Sequence, residues 1–332
     1  MRSLYSFFVS IQDNCTNANF LLTPPISSIL LAQSFSHSEV LIAGGSGFIG
    51  TAFSASLRLG GHEVYILTRR QSRDLNEIQW DGRTIGKWAK RLEEMDAVVN
   101  LTGFGLEHWP WTKSQKQRFH DSRILPGLVL ASAIKACSRR PKVFLQVSGV
   151  NHYGLHGDLA DESTPPADDY LAQLTVQWEA ATASIEELGV RRVIARTSVI
   201  LDSRGGLFPL MALPVRLFAG GPLGGGKQAV PWIHLVDEVG ALLFLLENQN
   251  ARGAFNLISP AQTSNADFMQ AIAKALHRPY WFPTPAFLLR LVLGEMSVLV
   301  LDGRFVRPRR LLELGYRFQF PALDGALKDL TT

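Results

Sequence analysis

Three glycines, Gly44, Gly47 and Gly50, close an aliphatic run in the stretch VLIAGGSGFIG (40–50). Glycines at this spacing do phosphate chemistry when they end a strand and open a helix. Without side chains the backbone can approach a pyrophosphate, and the helix N-terminus adds unpaired N–H donors and a positive dipole end. A tight strand-to-helix turn with no ligand is the alternative. The next apolar run ends in ILTRRQSR (66–73). An NAD-binding protein tends to place an acid there for the ribose 2′-hydroxyl, whereas this chain has Arg69, Arg70 and Arg73. Guanidinium groups suit a 2′-phosphate and an acid would repel it, so NADP is expected over NAD. A solvated basic loop is the competing reading.

A second glycine cluster, GGPLGGGKQ (220–228), nearly matches a phosphate-binding P-loop from Gly221 to Lys227. It departs twice: Gln228 replaces the Ser or Thr that would hold magnesium, and AVPWIHL after it reads as a strand and not a helix. The segment is expected to be a mobile loop near the substrate, with Lys227 available to an anionic group, or else a plain flexible turn. His234, Asp237 and Glu238 in PWIHLVDE (231–238) are metal-ligand types. Their strand-to-helix context makes Asp237 a cap and His234 a packed residue, and no metal is expected.

These residues need a scaffold, and the sequence provides one. Short β-like runs at Val40–Ala43, Val64–Leu67, Ala97–Leu101, Val143–Val147 and Arg192–Ala195 alternate with helical spacing at Phe48–Leu59, Ser114–Ala136 and Tyr170–Leu188. This is the pattern of βαβ units around a parallel sheet, an α/β doubly wound Rossmann fold. After Leu201 come Gly- and Pro-rich segments, then a helix over 237–247, a strand over 254–258, and a helix opened by the cap-like SNAD at 264–267. This later part is expected to form a smaller lobe over the C-terminal edge of the sheet.

Taken together, GGSGFIG, VVNLTG (98–103), WTKSQKQRFHDSR (111–123), GGPLGGGKQAVPWIH and RPRRLLELGYRF (307–318) resemble the epimerase-family branch of atypical short-chain dehydrogenases/reductases. Members are also labelled cell-division-inhibitor-like or nucleoside-diphosphate-sugar epimerase. The resemblance runs from Val40 to Leu330. It implies an extended Rossmann domain over 39–260 and a small family-specific C-terminal domain over 279–330. It also implies NADP held by the glycine turn (Gly44, Ser46, Gly47, Phe48, Ile49, Gly50), by Thr68 and Arg69, by Leu101 and Thr102, and by Arg123. The residues agree: VVNLTG reads as a buried strand ending in a small-residue turn at the sheet edge where dinucleotides lie. Arg123, on the helix that follows, could reach a phosphate or form a surface ion pair.

The chemistry departs from the family pattern. Related reductases and epimerases use a Tyr as acid and base, a Lys four residues on that lowers its pKa, and a Ser or Thr after the fifth strand. Here Tyr170 is followed by Gln173 and Leu174, and in VSGVNHYG (147–154) the position of the catalytic hydroxyl is Gly149. Tyr153 is left as the candidate proton carrier and Ser148 as a carbonyl or hydroxyl anchor. The alternative is a structural Tyr-Gly turn. His152 is a further acid or base candidate, or a loop histidine. Two functions follow: an NADP-dependent oxidoreductase or epimerase with a small-molecule substrate, anionic or sugar-nucleotide-like, and a non-catalytic NADP-binding regulatory or redox-sensing protein.

Bulk properties narrow the classes. With 332 residues, 46% hydrophobic and 19% charged, the chain can bury a large core. A net charge of +4 with scattered basic residues argues against nucleic acid, and the apolar runs are too short or interrupted for a membrane span. Neither a nucleic acid nor a membrane is expected as a partner, while a homodimer is allowed. Cys15 and Cys137 form no disulfide or metal pattern, so a reducing, cytoplasmic setting is expected. Residues 1–38 are Ser-rich and nearly uncharged and read as an appendage: an over-long gene start, an organellar transit peptide, or an extra ordered element.

Overall fold

The computed structural model describes residues 37–331, so the expectation for residues 1–38 falls almost wholly outside the described residues. The first part of the chain runs β1 (Glu39–Ala43), α1 (Phe48–Leu59), β2 (Glu63–Thr68), β3 (Glu77–Gln79), β4 (Ala97–Asn100), α2 (Lys113–Ala136), β5 (Val143–Gly149), α3 (Tyr170–Ala180) and β6 (Arg191–Thr197). It continues with β7 (Val199–Asp202), β8 (Gly205–Gly206), α4 (Phe208–Arg216), β9 (Trp232–His234), α5 (Leu235–Glu247), β10 (Gly253–Leu257) and α6 (Asn265–Ala275). The C-terminal part adds α7 (Ala286–Leu293), α8 (Val298–Leu301), α9 (Arg309–Glu313) and α10 (Leu323–Thr331).

Seven strands pair in the order β10-β6-β5-β4-β1-β2-β3, all parallel. Alternation along β1 explains the two layers. Val40 and Ile42 share a core with Phe53 and Leu57 of α1 and Leu242 of α5. Leu41 and Ala43 share the opposite core with Leu130 and Ile134 of α2 and with Trp80 and Trp88. Helices cover both faces, as the continuous apolar strands require. The order reverses between β1 and β4, and ligands of such sheets lie in the crevice beyond the strand ends at that point.

The helix expected over Tyr170–Leu188 is interrupted. α3 ends at Ala180 and a separate 3₁₀ segment covers Ala183–Leu188. The break falls where Thr182 turns its hydroxyl inward to donate to Gln146 Oε1 (2.6 Å) and to accept from Arg192 Nε (3.0 Å). Hydrophobic spacing continues through the break and hides it.

A smaller sheet, β8-β7-β9, forms the base of the second lobe. Its core gathers Phe208 and Val215 of α4, Trp232, Phe268 of α6, and Leu327 of α10. Ser264 caps α6 as SNAD suggested, its Oγ accepting from Asp267 N–H at 3.2 Å. The cap of α5 is not Asp237, however. His234 Nδ1 accepts from Val236 N–H at 3.2 Å, and the Asp237 carboxylate accepts from the backbone N–H groups of Gln319 (2.7 Å) and Phe320 (2.8 Å). A helix N-terminus rewards an acceptor, and His234, already turned inward between strand and helix, is placed to supply it.

Candidate functional site

The glycine turn is built by close backbone approach. Gly44 has φ +83°, and a Cβ there would stand 2.8 Å from the Leu101 carbonyl oxygen and 3.1 Å from Thr102 N. At Gly50 a Cβ would lie 2.3 Å from Gly44 O, a clash with backbone that cannot relax cheaply. Gly47 differs: its conformation is extended, it caps α1 without a side-chain hydrogen bond, and a Cβ would touch only Gly44 O, at 3.2 Å. Hence Gly44 and Gly50 serve the fold, while Gly47 leaves space in front of α1. That helix has no acidic residue in its first turn, so the N–H groups of Phe48, Ile49 and Gly50 carry the usual unpartnered donors of a helix start. Ser46 is exposed beside them.

The other cofactor candidates surround this turn. Leu101 donates its N–H to Ala43 O at 2.8 Å, and Thr102 donates both its N–H (3.1 Å) and its hydroxyl (2.6 Å) to Asn100 Oδ1, so β4 ends firmly against the glycines. Thr68 is buried at the end of β2, its hydroxyl accepting from Arg70 N–H at 3.3 Å. The side chains of Arg69, Arg70 and Arg73 are exposed.

Arg123 is buried within α2. Its Nη1 donates to Phe104 O (2.8 Å) and Phe119 O (3.1 Å), and its guanidinium lies 5.0 Å from the Trp178 ring. Burial lowers its pKa to about 10, which leaves it charged at neutral pH. No carboxylate forms an ion pair with it among the described residues. Its other nitrogens lie against Gly103, directly after Thr102. A cation held here by carbonyl groups and an indole face suits an anion arriving from the crevice. The unpartnered N–H groups, the space at Gly47 and these cations fit a phosphorylated dinucleotide.

The residues expected to do proton chemistry, at the end of β5 and just after it, are tied into a buried polar cluster. Tyr153 has 0% exposure; its hydroxyl donates to Asn256 Oδ1 at 2.7 Å and accepts from Arg196 Nη1 at 2.8 Å. Ser148, also buried, donates to Glu179 Oε1 at 2.8 Å. Arg196 completes the cluster with two 2.8 Å bonds to the Glu179 carboxylate. Burial alone would raise the Glu179 carboxyl, but the hydrogen bonds and charge of Arg196, with the Ser148 hydroxyl, outweigh it and hold it below its ordinary range. Burial raises the Tyr153 phenol despite the nearby Arg196. His152 is lowered to about 4, by burial first and by the Arg196 cation second, so it is neutral. In this arrangement neither Tyr153 nor Ser148 presents a free hydroxyl to the crevice. The buried ion pair of Arg196 uses them as hydrogen-bond partners, a tertiary requirement with no local sequence signal.

The accessible phenol is Tyr170, 37% exposed at the start of α3. Its ring packs edge-on to Trp111 with centroids 6.1 Å apart, and Lys116 Nζ lies 4.8 Å from its centroid. Lys116 also pairs with Glu295, which joins this mouth to the C-terminal part of the chain. Burial raises the Tyr170 phenol, against the pull of Arg123. Sequence spacing brought Tyr170 into view and its missing Lys removed it; Lys116 and Glu295 carry no signal in the sequence.

The Gly220–Gln228 segment is anchored rather than mobile. Leu223 N–H donates to Asn265 Oδ1 at 2.8 Å, and Gln228 Nε2 donates to Leu223 O (2.9 Å) and Val300 O (2.8 Å). Gly221 is required by packing, since a Cβ would lie 2.1 Å from Phe282 O. Gly220 and Gly221 allow backbone contact with Pro279 and Phe282, while Lys227 stays exposed.

Comparison with known proteins agrees with this geometry. Residues 40–257 match the NAD dependent epimerase/dehydratase family, and residues 284–330 match DUF1731, a domain of unknown function. The epimerase family protein SDR39U1 of Bos taurus is 38% identical over 299 residues, covering 88% of this chain and 99% of the relative. Epimerase family protein ML0860 of Mycobacterium leprae is 36% identical over 305 residues, covering 91% and 98%. The crystal structure of the human epimerase family protein SDR39U1 with NADPH superposes with a TM-score of 0.80 at 33% identity, covering 88% of this chain and 99% of that one. With these matches along nearly the whole described length, the chain belongs to the NAD dependent epimerase/dehydratase family.

Proposed function

We propose that the protein is an NADP-dependent oxidoreductase or epimerase acting on a small, anionic or sugar-nucleotide-like molecule. The observation that carries this reading is the space at Gly47 in front of the N–H groups of α1, beside the exposed Arg69 and Arg70. The NADPH in the human relative supports it. Bound NADP supplies hydride exchange at its nicotinamide. The chain's own residues bind and orient. The N–H groups at the start of α1 take the pyrophosphate, Arg69 and Arg70 take the 2′-phosphate, and Leu101 and Thr102 form the floor. Arg123 holds a cofactor phosphate, and Lys116 draws an anionic substrate toward Tyr170, whose protonated phenol serves as the acid.

Titration of NADPH and NADH by protein fluorescence tests the cofactor choice. NADPH is expected to bind at least about tenfold more tightly, and equal affinities overturn the assignment. Tyr170→Phe is expected to lower kcat by about a hundredfold or more with little change in KM. The second reading, a non-catalytic NADP-binding protein, is favoured by Leu174 standing where related enzymes carry Lys. Turnover absent with every carbonyl and sugar-nucleotide substrate tried would favour it, whereas turnover unaffected by Tyr170→Phe would remove Tyr170 as the acid and leave the enzyme reading standing.

A further inference from the structure

The sequence AFLLRLVL of α7 is apolar on every side but one, and none of its residues is buried. A helix of this composition normally lies inside a protein. Instead Phe287 is 71% exposed and Leu291 79% exposed. The segment leading into α7 continues the surface with Trp281 (70% exposed) and Phe282. Both donate their backbone N–H groups to Gly220 O at 2.9 Å, and the Trp281 indole N–H donates to Phe218 O at 2.9 Å. Phe218 and Leu217, at the end of α4, are themselves exposed. Hydrogen bonds therefore join two exposed apolar segments into one face, larger than scattered surface residues explain.

Charge identifies the occupant. Between Asp267 and Glu295 the chain has no acidic residue, and between Asp202 and Asp237 it again has none. The basic residues there include Arg216, Arg278 and Arg290, all exposed. Arg278 lies over the Phe218 ring at 4.7 Å, within the apolar face itself. None of the three forms an ion pair with a carboxylate among the described residues. A second copy of the chain fits poorly. A two-fold contact sets a surface against itself, and here arginines would meet arginines with no acid between them. Exposed Trp, Phe and Leu interleaved with unpaired Arg suit the boundary between anionic headgroups and acyl chains.

We propose that this face, formed by Leu217, Phe218, Trp281, Phe282 and α7, seats the protein on an anionic lipid surface. Eight residues of helix are far too few to span a bilayer, so the contact is peripheral, with the apolar side chains entering the headgroup boundary. The sequence-based expectation of no membrane partner rested on the lack of a spanning run, which a peripheral contact does not need.

The test is cosedimentation of the full chain with vesicles of phosphatidylcholine alone and of phosphatidylcholine mixed with phosphatidylglycerol. The mixed vesicles are expected to bind it, more weakly as sodium chloride rises, and the neutral ones at least about tenfold less. Replacing Arg216, Arg278 and Arg290 together by Glu should weaken binding by about a hundredfold or more, since each cation near such a surface is worth about fivefold. Phe287→Ser with Leu291→Ser should also release the protein, while NADPH affinity, unchanged, shows that both variants are folded. Failure to bind mixed vesicles overturns the proposal. So does a dimer in solution that the Phe287→Ser, Leu291→Ser variant converts to monomer, because a second copy then covers the face.

Discussion

The end of β1 and the end of β5 lie in the same sheet, two strands apart, and handle polar groups in opposite ways. At β1 the glycine turn leaves N–H donors without partners, and Arg69 and Arg70 reach into solvent from the end of neighbouring β2. At β5 the hydroxyls of Ser148 and Tyr153 and the carboxylate of Glu179 are all bound to protein partners, with Arg196 at the centre. A surface made for a ligand keeps hydrogen-bonding capacity open, whereas a surface made for the fold closes it. Residue type does not separate the two, since Ser, Tyr, Arg and Glu are the stock of active sites in either place.

Substitutions can break this contrast. Glu179→Ala strands the Arg196 guanidinium in the interior and should destabilise the protein by about 3–5 kcal/mol, read from denaturant unfolding, with little change in NADPH affinity of the folded fraction. A drop in affinity with stability intact would place Glu179 among the ligand groups instead. Gly47→Val should do the reverse, keeping the melting temperature while weakening NADPH binding by about a hundredfold or more, because its side chain occupies the pyrophosphate space and meets only Gly44 O. Arg69→Ala should have a smaller effect, erasing about a tenfold preference for NADPH over NADH and leaving NADH affinity unchanged.

A further test concerns pH. Glu238 is fully buried, and burial raises its carboxyl to about 8 despite the 2.9 Å bond from the Thr197 hydroxyl. The raised value means that the folded state holds a proton that the unfolded chain gives up near its ordinary carboxyl range. The group's contribution is therefore complete at acid pH and is lost as pH rises toward and through 8. One such proton tilts stability by about 1.4 kcal/mol per pH unit in that window. Glu238→Gln keeps an acceptor for Thr197 and should flatten that slope in unfolding measured from weakly acid to weakly alkaline pH. An unchanged slope would mean that Glu238 ionises freely in the folded protein.

Much of the fold was legible in the sequence because strands covered on both faces must be apolar throughout, and helices between them must repeat their apolar positions. Phe48–Leu59 is a helix with the very boundaries its spacing indicates. The glycine turn was legible for a related reason, since close backbone approach leaves a local mark. What escaped the sequence depends on distant partners. Tyr153 meets Asn256 from 103 positions away, and Gly221 lies under Phe282. Asp237 has the right type and position for a cap, yet its ligands are backbone N–H groups more than 80 residues further on. Spacing can identify a residue suited to a role; it does not identify which of several distant groups will engage it.

Asp237 also bears on what counts as a unit in this molecule. The two family matches divide the chain at 257 and 284, as though the second piece were an addition. The Asp237 carboxyl, raised by burial and eased by Gln319 and Phe320, sits in the first piece and is solvated by the second. Tyr316 adds its hydroxyl to the same residue, and Leu327 of α10 lies in one core with Trp232. Cutting the chain at the boundary would expose a carboxylate built for company and open a core on one side. The boundary between the two matches is therefore not a boundary of packing, and the C-terminal piece completes both a polar site and a core of the first.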